Sequence, residues 1–177
     1  MKSILESDAY LVLLLPEPVS TEIVNLRKKY DQLLAKLPVE ITVSGSSGTG
    51  PIKAGQNVKI IIDAVDNIVD QISSFEFNFI KMNQFPCTNI FYLEPEQRNN
   101  FDKIHHLLES INIEHHPIQY PYNPHCSIHS TGNLSSNDKS ILAERISREK
   151  VKVNELALIE FSYPPFICNI LKVWTLK

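Results

Sequence analysis

Two short stretches of this chain have the same shape, and that repetition limits the fold more than any other feature. Val39-Glu40-Ile41-Thr42-Val43 follows Pro38, and His125-Cys126-Ser127-Ile128 follows Pro124. In each, polar and apolar residues alternate, so a strand would put a polar pair on one face and an apolar pair against a core. Each also comes after a strand and a helix. Ahead of the first, residues 10–15 form a continuous apolar run suited to a strand buried on both faces, stopped by Pro16 and Pro18. Ser20 or Thr21 can cap the next helix and Glu22 suits its first turn, while Ile23, Leu26, Tyr30, Leu33 and Leu37 give it one apolar face up to Pro38. Ahead of the second, residues 88–93 read as a strand, and Pro95 opens a helix carrying Phe101, Ile104, Leu108 and Ile111.

The remaining segments fill in the same rhythm. A glycine-rich loop spans residues 44–51, followed by a strand at 58–62 and a short helix with Ile62, Val65, Val69 and Ile72 on one face. Phe75, Phe77 and Phe79 alternate with polar residues as in a half-buried strand. A helix capped by Ser135 or Ser136 is expected to run to about Arg148, and two long strands at 153–163 and 166–176 turn at Pro164-Pro165. The expected architecture is α+β, a single domain over residues 1–177, with two pseudo-symmetric lobes. Mostly antiparallel sheet with flanking helices would surround a central cleft.

Composition narrows the function. At 43% hydrophobic and 21% charged, the chain is neither disordered nor a coiled-coil rod. No apolar run reaches the ~18 residues of a membrane span, and the first ten residues lack the pattern of a secretory signal. A formal charge of −3 argues against a broad basic surface that coats nucleic acid, but a small nucleotide or an RNA terminus needs only a few local groups. Cys87, Cys126 and Cys168 form no C-x-x-C pair, which points to reduced, mostly buried thiols in a cytoplasmic protein rather than a disulfide framework or a zinc site. A monomer is the simplest expectation.

On strict alternation His125, Ser127 and His129 share a strand face, while Cys126 and Ile128 face a core. An imidazole passes protons near neutral pH, and a hydroxyl can donate to a phosphoryl oxygen. Glu40 and Thr42 share the corresponding face of the first stretch. Brought together across a pseudo-twofold axis, the two strands would line one cleft with Glu40, Thr42, His125 and Ser127, and with His129 as a further cleft candidate. His105, His106, His115 and His116 lack metal-site spacing with acidic or cysteine partners and read as surface residues. The glycine-rich loop lacks the Gly-Lys-Ser/Thr ending of a phosphate loop and reads as a mobile rim over the cleft.

The Pro124-His125-Cys126-Ser127-Ile128 pattern resembles the second signature of the two-histidine phosphoesterase superfamily, which includes the 2′–5′ RNA ligase-like (LigT-like) proteins. The likeness extends over nearly the whole chain. It takes in Leu14-Leu15-Pro16, the strand Asn89-Ile90-Phe91-Tyr92-Leu93, and the closing segments Leu156-Ala157-Leu158-Ile159-Glu160 and Leu171-Lys172-Val173-Trp174. The resemblance implies a two-lobed α+β fold and hydrolysis of 2′,3′-cyclic phosphates or 2′–5′ linkages, without a metal or other cofactor. It implies His125 as a catalytic histidine, with Ser127 and Thr42 as phosphate-binding hydroxyls. It also implies that Glu40 stands where the first histidine belongs. A free glutamate titrates near pH 4.3, so the ordinary expectation is Glu40 as base and His125 as acid; only burial or a neighbouring carboxylate would make Glu40 an acid. The alternative is an impaired relative that binds nucleotide or RNA ends without turnover.

Overall fold

The computed structural model describes residues 2–144, 150–163 and 167–177. In chain order the elements are β1 (Ala9–Leu14), α1 (Val19–Tyr30), a 3-10 turn (Leu34–Lys36), β2 (Glu40–Ser44), α2 (Val58–Val69), β3 (Phe75–Phe77), β4 (Phe79–Gln84) and β5 (Phe91–Pro95). Then follow α3 (Asn99–Glu109), β6 (Cys126–His129), α4 (Ser136–Glu144), β7 (Val151–Val153), β8 (Glu155–Ser162) and β9 (Ile167–Thr175). One sheet has the order β2-β1-β8-β9 and another β4-β5-β6, while β3 pairs with β7. Every pairing among the described residues is antiparallel. The architecture is therefore the expected α+β one, with one sheet built from strands at both ends of the chain and another from its middle.

Strand β1 is buried on both faces, as its unbroken apolar run requires. Leu11 and Leu13 join the main core with Ile41, Val43, Leu156 and Leu158, whereas Val12 packs with Ala157 and Ile159 on the opposite face. The main core continues through Phe101 and Leu108 of α3 to Ile128 of β6, so the two halves share it. Phe77 and Phe101 meet edge to face at 5.1 Å inside it.

Four local expectations change. Helix α1 stops at Tyr30, and Leu33 and Leu37 fall beyond it, because Asp31 turns the chain and accepts the Leu34 N–H at 2.9 Å. Its start is served by the Glu17 carboxylate, which accepts the Thr21 N–H at 3.3 Å, rather than by Ser20 or Thr21. Residues 58–62 are helical, not a strand, because the Asn57 side chain caps α2 by accepting the Lys59 N–H at 2.9 Å. Val58, Ile61, Ile62 and Val65 then form its buried stripe. The phenylalanine strand divides between β3 and β4, which belong to different sheets. Ser135 accepts the Asp138 N–H at 3.1 Å and caps α4 as expected. The continuation of that helix to Arg148 and the turn at Pro164-Pro165 lie outside the described residues.

Candidate active site

Strands β2 and β6 are each an edge strand of their sheet, and each carries the same irregularity. In β2, Thr42 opposes Val12 and Ser44 opposes Leu11, which leaves Val43 as an extra, unpaired residue. In β6, Ser127 opposes Tyr92 and His129 opposes Phe91, which leaves Ile128 unpaired. A bulge of this kind reverses the alternation beyond it. Thr42 therefore stays on one face with Glu40 while Ser44 turns inward. Ser127 keeps its face while His129 turns to the other.

That reversal corrects the expectation for His129. It is 2% exposed, not cleft-lining. Its Nδ1 lies 2.9 Å from the Tyr30 carbonyl and its Nε2 lies 3.3 Å from the Gly132 carbonyl. Beside it the buried Asp31 carboxylate accepts from the Ser130 N–H and from the hydroxyls of Ser130 and Thr131. This knot ties the end of α1 to the end of β6.

The two edge strands are brought alongside each other from below. Arg27 of α1 is 1% exposed and serves backbone carbonyls. Its Nη1 donates to the Pro38 carbonyl at 3.0 Å, and its Nε and Nη2 donate to the Ser127 carbonyl at 3.0 and 2.8 Å. Strand β2 packs directly against β6, and Arg27 Nη2 also lies 3.8 Å from the thiol of Cys126, the residue between His125 and Ser127. From above, the Tyr122 hydroxyl reaches the Thr42 carbonyl at 3.4 Å. Glu40-x-Thr42 and His125-x-Ser127 are thus neighbours across the boundary between the two sheets.

The surroundings push the two titratable groups in opposite directions. Burial lowers the proton affinity of His125, and the hydrogen bond to the Asn123 carbonyl only partly offsets this. Nδ1 makes that bond at 2.7 Å as the donor, which leaves Nε2 as the free, basic nitrogen. Phe85 and Tyr92 stand edge-on to the ring at 4.9 and 5.3 Å. Burial raises Glu40 to about 7, against the opposing pull of Arg27 and of the Thr42 hydroxyl. That hydroxyl donates to Glu40 Oε2 at 2.9 Å. Near neutrality a large share of Glu40 is therefore the uncharged acid.

A stability measurement checks this state. A raised carboxyl pKa means that the fold favours the protonated form, so the stabilisation is complete below pH 4.5 and disappears as pH rises through about 7. Glu40→Gln has no such loss. Relative to wild type it should gain up to about 3 kcal/mol between pH 5 and pH 8 in urea unfolding. Parallel pH profiles for the two proteins would show that the carboxyl is ordinary.

Other sequence expectations change here as well. His105 is buried, not on the surface, and its Nδ1–H donates to the Val43 carbonyl at 2.8 Å. His115 is half-buried with Nε2 at 3.1 Å from the Ser44 hydroxyl, while His106 and His116 are exposed. The glycine-rich loop is tied down rather than free at the rim. Gly48 N–H donates to the Tyr120 carbonyl at 2.9 Å, and Asn123 N–H donates to Ser47 Oγ at 3.4 Å. Cys126 is buried, but Cys87 is exposed and Cys168 only partly covered. Arg27 escaped sequence reading because it sits on the apolar stripe of α1, four residues after Ile23, where a long basic side chain reads as surface.

Comparison with solved structures places the fold. E. coli LigT complexed with 3′-AMP is 13% identical over 99% of both chains, with a TM-score of 0.66. E. coli LigT complexed with phosphate is 13% identical, again over 99% of both chains, with a TM-score of 0.61. TT0787 of Thermus thermophilus is 13% identical over 96% of this chain and 97% of that one, with a TM-score of 0.65. A search of curated proteins finds no match. The sequence profile described as the 2′-5′ RNA ligase superfamily matches residues 15–162, and the chain belongs to that family.

Proposed function

We propose that this protein hydrolyses a small phosphodiester, either a nucleoside 2′,3′-cyclic phosphate or a 2′–5′ linkage at an RNA terminus. The observation that carries the reading is the shared register of the two edge strands. β2 holds Glu40 and Thr42 on one face, β6 holds Ser127 with His125 immediately ahead of its first residue, each hydroxyl lies just ahead of a bulge, and the two strands are neighbours. Membership of the family supports a phosphodiesterase-like activity, and E. coli LigT complexed with 3′-AMP, ATP or NADP+ supports a small nucleotide as ligand.

The proton affinities assign the roles in the reverse of the order that free pKa values suggest. His125 Nε2, neutral because burial disfavours its charged form, takes a proton from the attacking water as the water oxygen bonds to phosphorus. Glu40, protonated near neutrality, gives its proton to the ribose oxygen as the bond from that oxygen to phosphorus breaks. The net change is addition of one water, and the pair resets by passing one proton from His125 to Glu40. Thr42 and Ser127 donate to the non-bridging oxygens. The buried Arg27 cation, next to both strands, makes the cleft receptive to an anion, and an uncharged Glu40 does not oppose it.

The signature is a pH profile. With 2′,3′-cyclic AMP, kcat should fall as pH rises through about 7, where Glu40 loses its proton. Glu40→His, with an imidazole in the acid position, should change that falling limb. Turnover that stays level from pH 7 to 9 would remove Glu40 from the acid role. One feature favours a second reading. Once ionised, Glu40 holds the Thr42 hydroxyl at 2.9 Å and away from a ligand, which suits a protein that binds nucleotide without turnover. Isothermal titration with 3′-AMP beside a turnover assay separates the two readings.

A further inference from the structure

The bulge in β2 has a physical consequence for Thr42. An extra residue in an edge strand leaves the ladder, and its carbonyl needs another donor. Val43 is that residue, and its side chain is fully buried. Its carbonyl is met by His105 Nδ1–H, which reaches over from α3 in the other half of the chain, at 2.8 Å.

The His105 ring is held from every side. Tyr122 stacks on it with centroids 4.0 Å apart and planes 8° from parallel. Gly48 is pressed so close that a Cβ there would lie 2.2 Å from His105 Cε1. Gly48 has φ +73°, a conformation open to glycine. Glu109 Oε1 lies 3.3 Å from Nε2, one turn along α3. Tyr122 then bonds the adjacent Thr42 carbonyl. Two consecutive carbonyls of β2, those of Thr42 and Val43, are thus fixed by two stacked rings.

Arg27 does the corresponding task in the opposite direction. It leaves α1 in the first half and bonds the Ser127 carbonyl in the second. Arg27 thus holds the carbonyl of Ser127 itself, and His105 the carbonyl one residue after Thr42, each as a buried side chain reaching over from a helix in the other half of the chain. His105 and Arg27 each follow a buried apolar residue by four positions, Phe101 and Ile23, so the two helices present them alike.

We propose that His105 is a positioning residue for the reaction. Its hydrogen bond to the bulged Val43 carbonyl sets the place of the Thr42 hydroxyl relative to Ser127. The inference rests on the hydrolytic reading of the site, and it concerns a residue that does not touch substrate. A displacement of a catalytic group by ~1 Å costs up to about 10²-fold in rate.

The test separates the ring from the bond. His105→Phe keeps an aromatic stack on Tyr122 and removes the donor. His105→Asn keeps a donor at the place of Nδ1 and removes the stack. On 2′,3′-cyclic AMP, His105→Phe should lower kcat by about 10- to 100-fold with KM changed less, and His105→Asn should recover most of the loss. If His105 acts through Thr42, His105→Phe added to Thr42→Val should cost almost nothing further. Equal effects of Phe and Asn, or fully additive effects with Thr42→Val, would overturn the proposal. If wild type turns over no cyclic substrate, the hydrolytic reading fails by itself. The same variants are then compared by titration with inorganic phosphate, where the Phe variant should bind more weakly than the Asn variant. Equal affinities there would overturn the positioning role.

Discussion

Replacing His125 by alanine is expected to lower turnover of a nucleoside 2′,3′-cyclic phosphate by about 10²- to 10⁴-fold while the protein stays folded. The rate loss follows from removing the proposed base, an imidazole whose Nδ1 is engaged by the Asn123 carbonyl and whose proton affinity burial lowers. The fold survives because the side chain's hydrogen bond goes to a carbonyl only two residues away, and its aromatic neighbours Phe85 and Tyr92 also stack on each other. Steady-state kinetics beside a thermal melt of the same preparation checks both halves. Unchanged turnover would end the catalytic assignment, whatever the melt shows.

The largest expected effect on stability is at Arg27. Arg27→Met keeps an apolar stem of similar length but removes the guanidinium that serves Pro38 and Ser127. Two partly buried carbonyls then lose their donors, and each orphaned group costs about 1–3 kcal/mol. A total of about 2–6 kcal/mol is expected in urea unfolding, a large share of the ~5–15 kcal/mol that holds a domain together. Arg27→Lys should recover only part of this, because one ammonium cannot repeat a fork that meets the Ser127 carbonyl of β6 and the Pro38 carbonyl ahead of β2. A loss below about 1 kcal/mol would show that the guanidinium is not the link between the halves.

Those two residues mark what could and could not be read from the chain. His125, Ser127, Glu40 and Thr42 stood out because alternation along a strand is a local rule, and it holds for as long as the ladder is regular. At Val43 and Ile128 the ladder slips by one residue, so Ser44 and His129 turn inward, and nothing in the side chains marks the slip. The β-branched run from Val58 to Ile62 reads as a strand until the Asn57 cap is weighed with it. Leu33 and Leu37 keep helical spacing after α1 has ended, because Asp31 diverts the chain through contacts with residues 99 and 100 positions away. Arg27 and His105 take on their roles only through partners 100 and 62 residues distant, which periodicity cannot reveal.

The fastening of residues 44–53 to residues 113–123 bears on how far the two halves can move apart. Pro51 accepts from the His116 N–H at 2.8 Å and Glu114 accepts from the Lys53 N–H at 3.0 Å, in addition to the Gly48 and Ser47 bonds. Arg27 fastens the same two halves from beneath. With both flanks secured, swinging one half away from the other would break several bonds at once, so the hydrolysis proposed above calls for no wide opening between them.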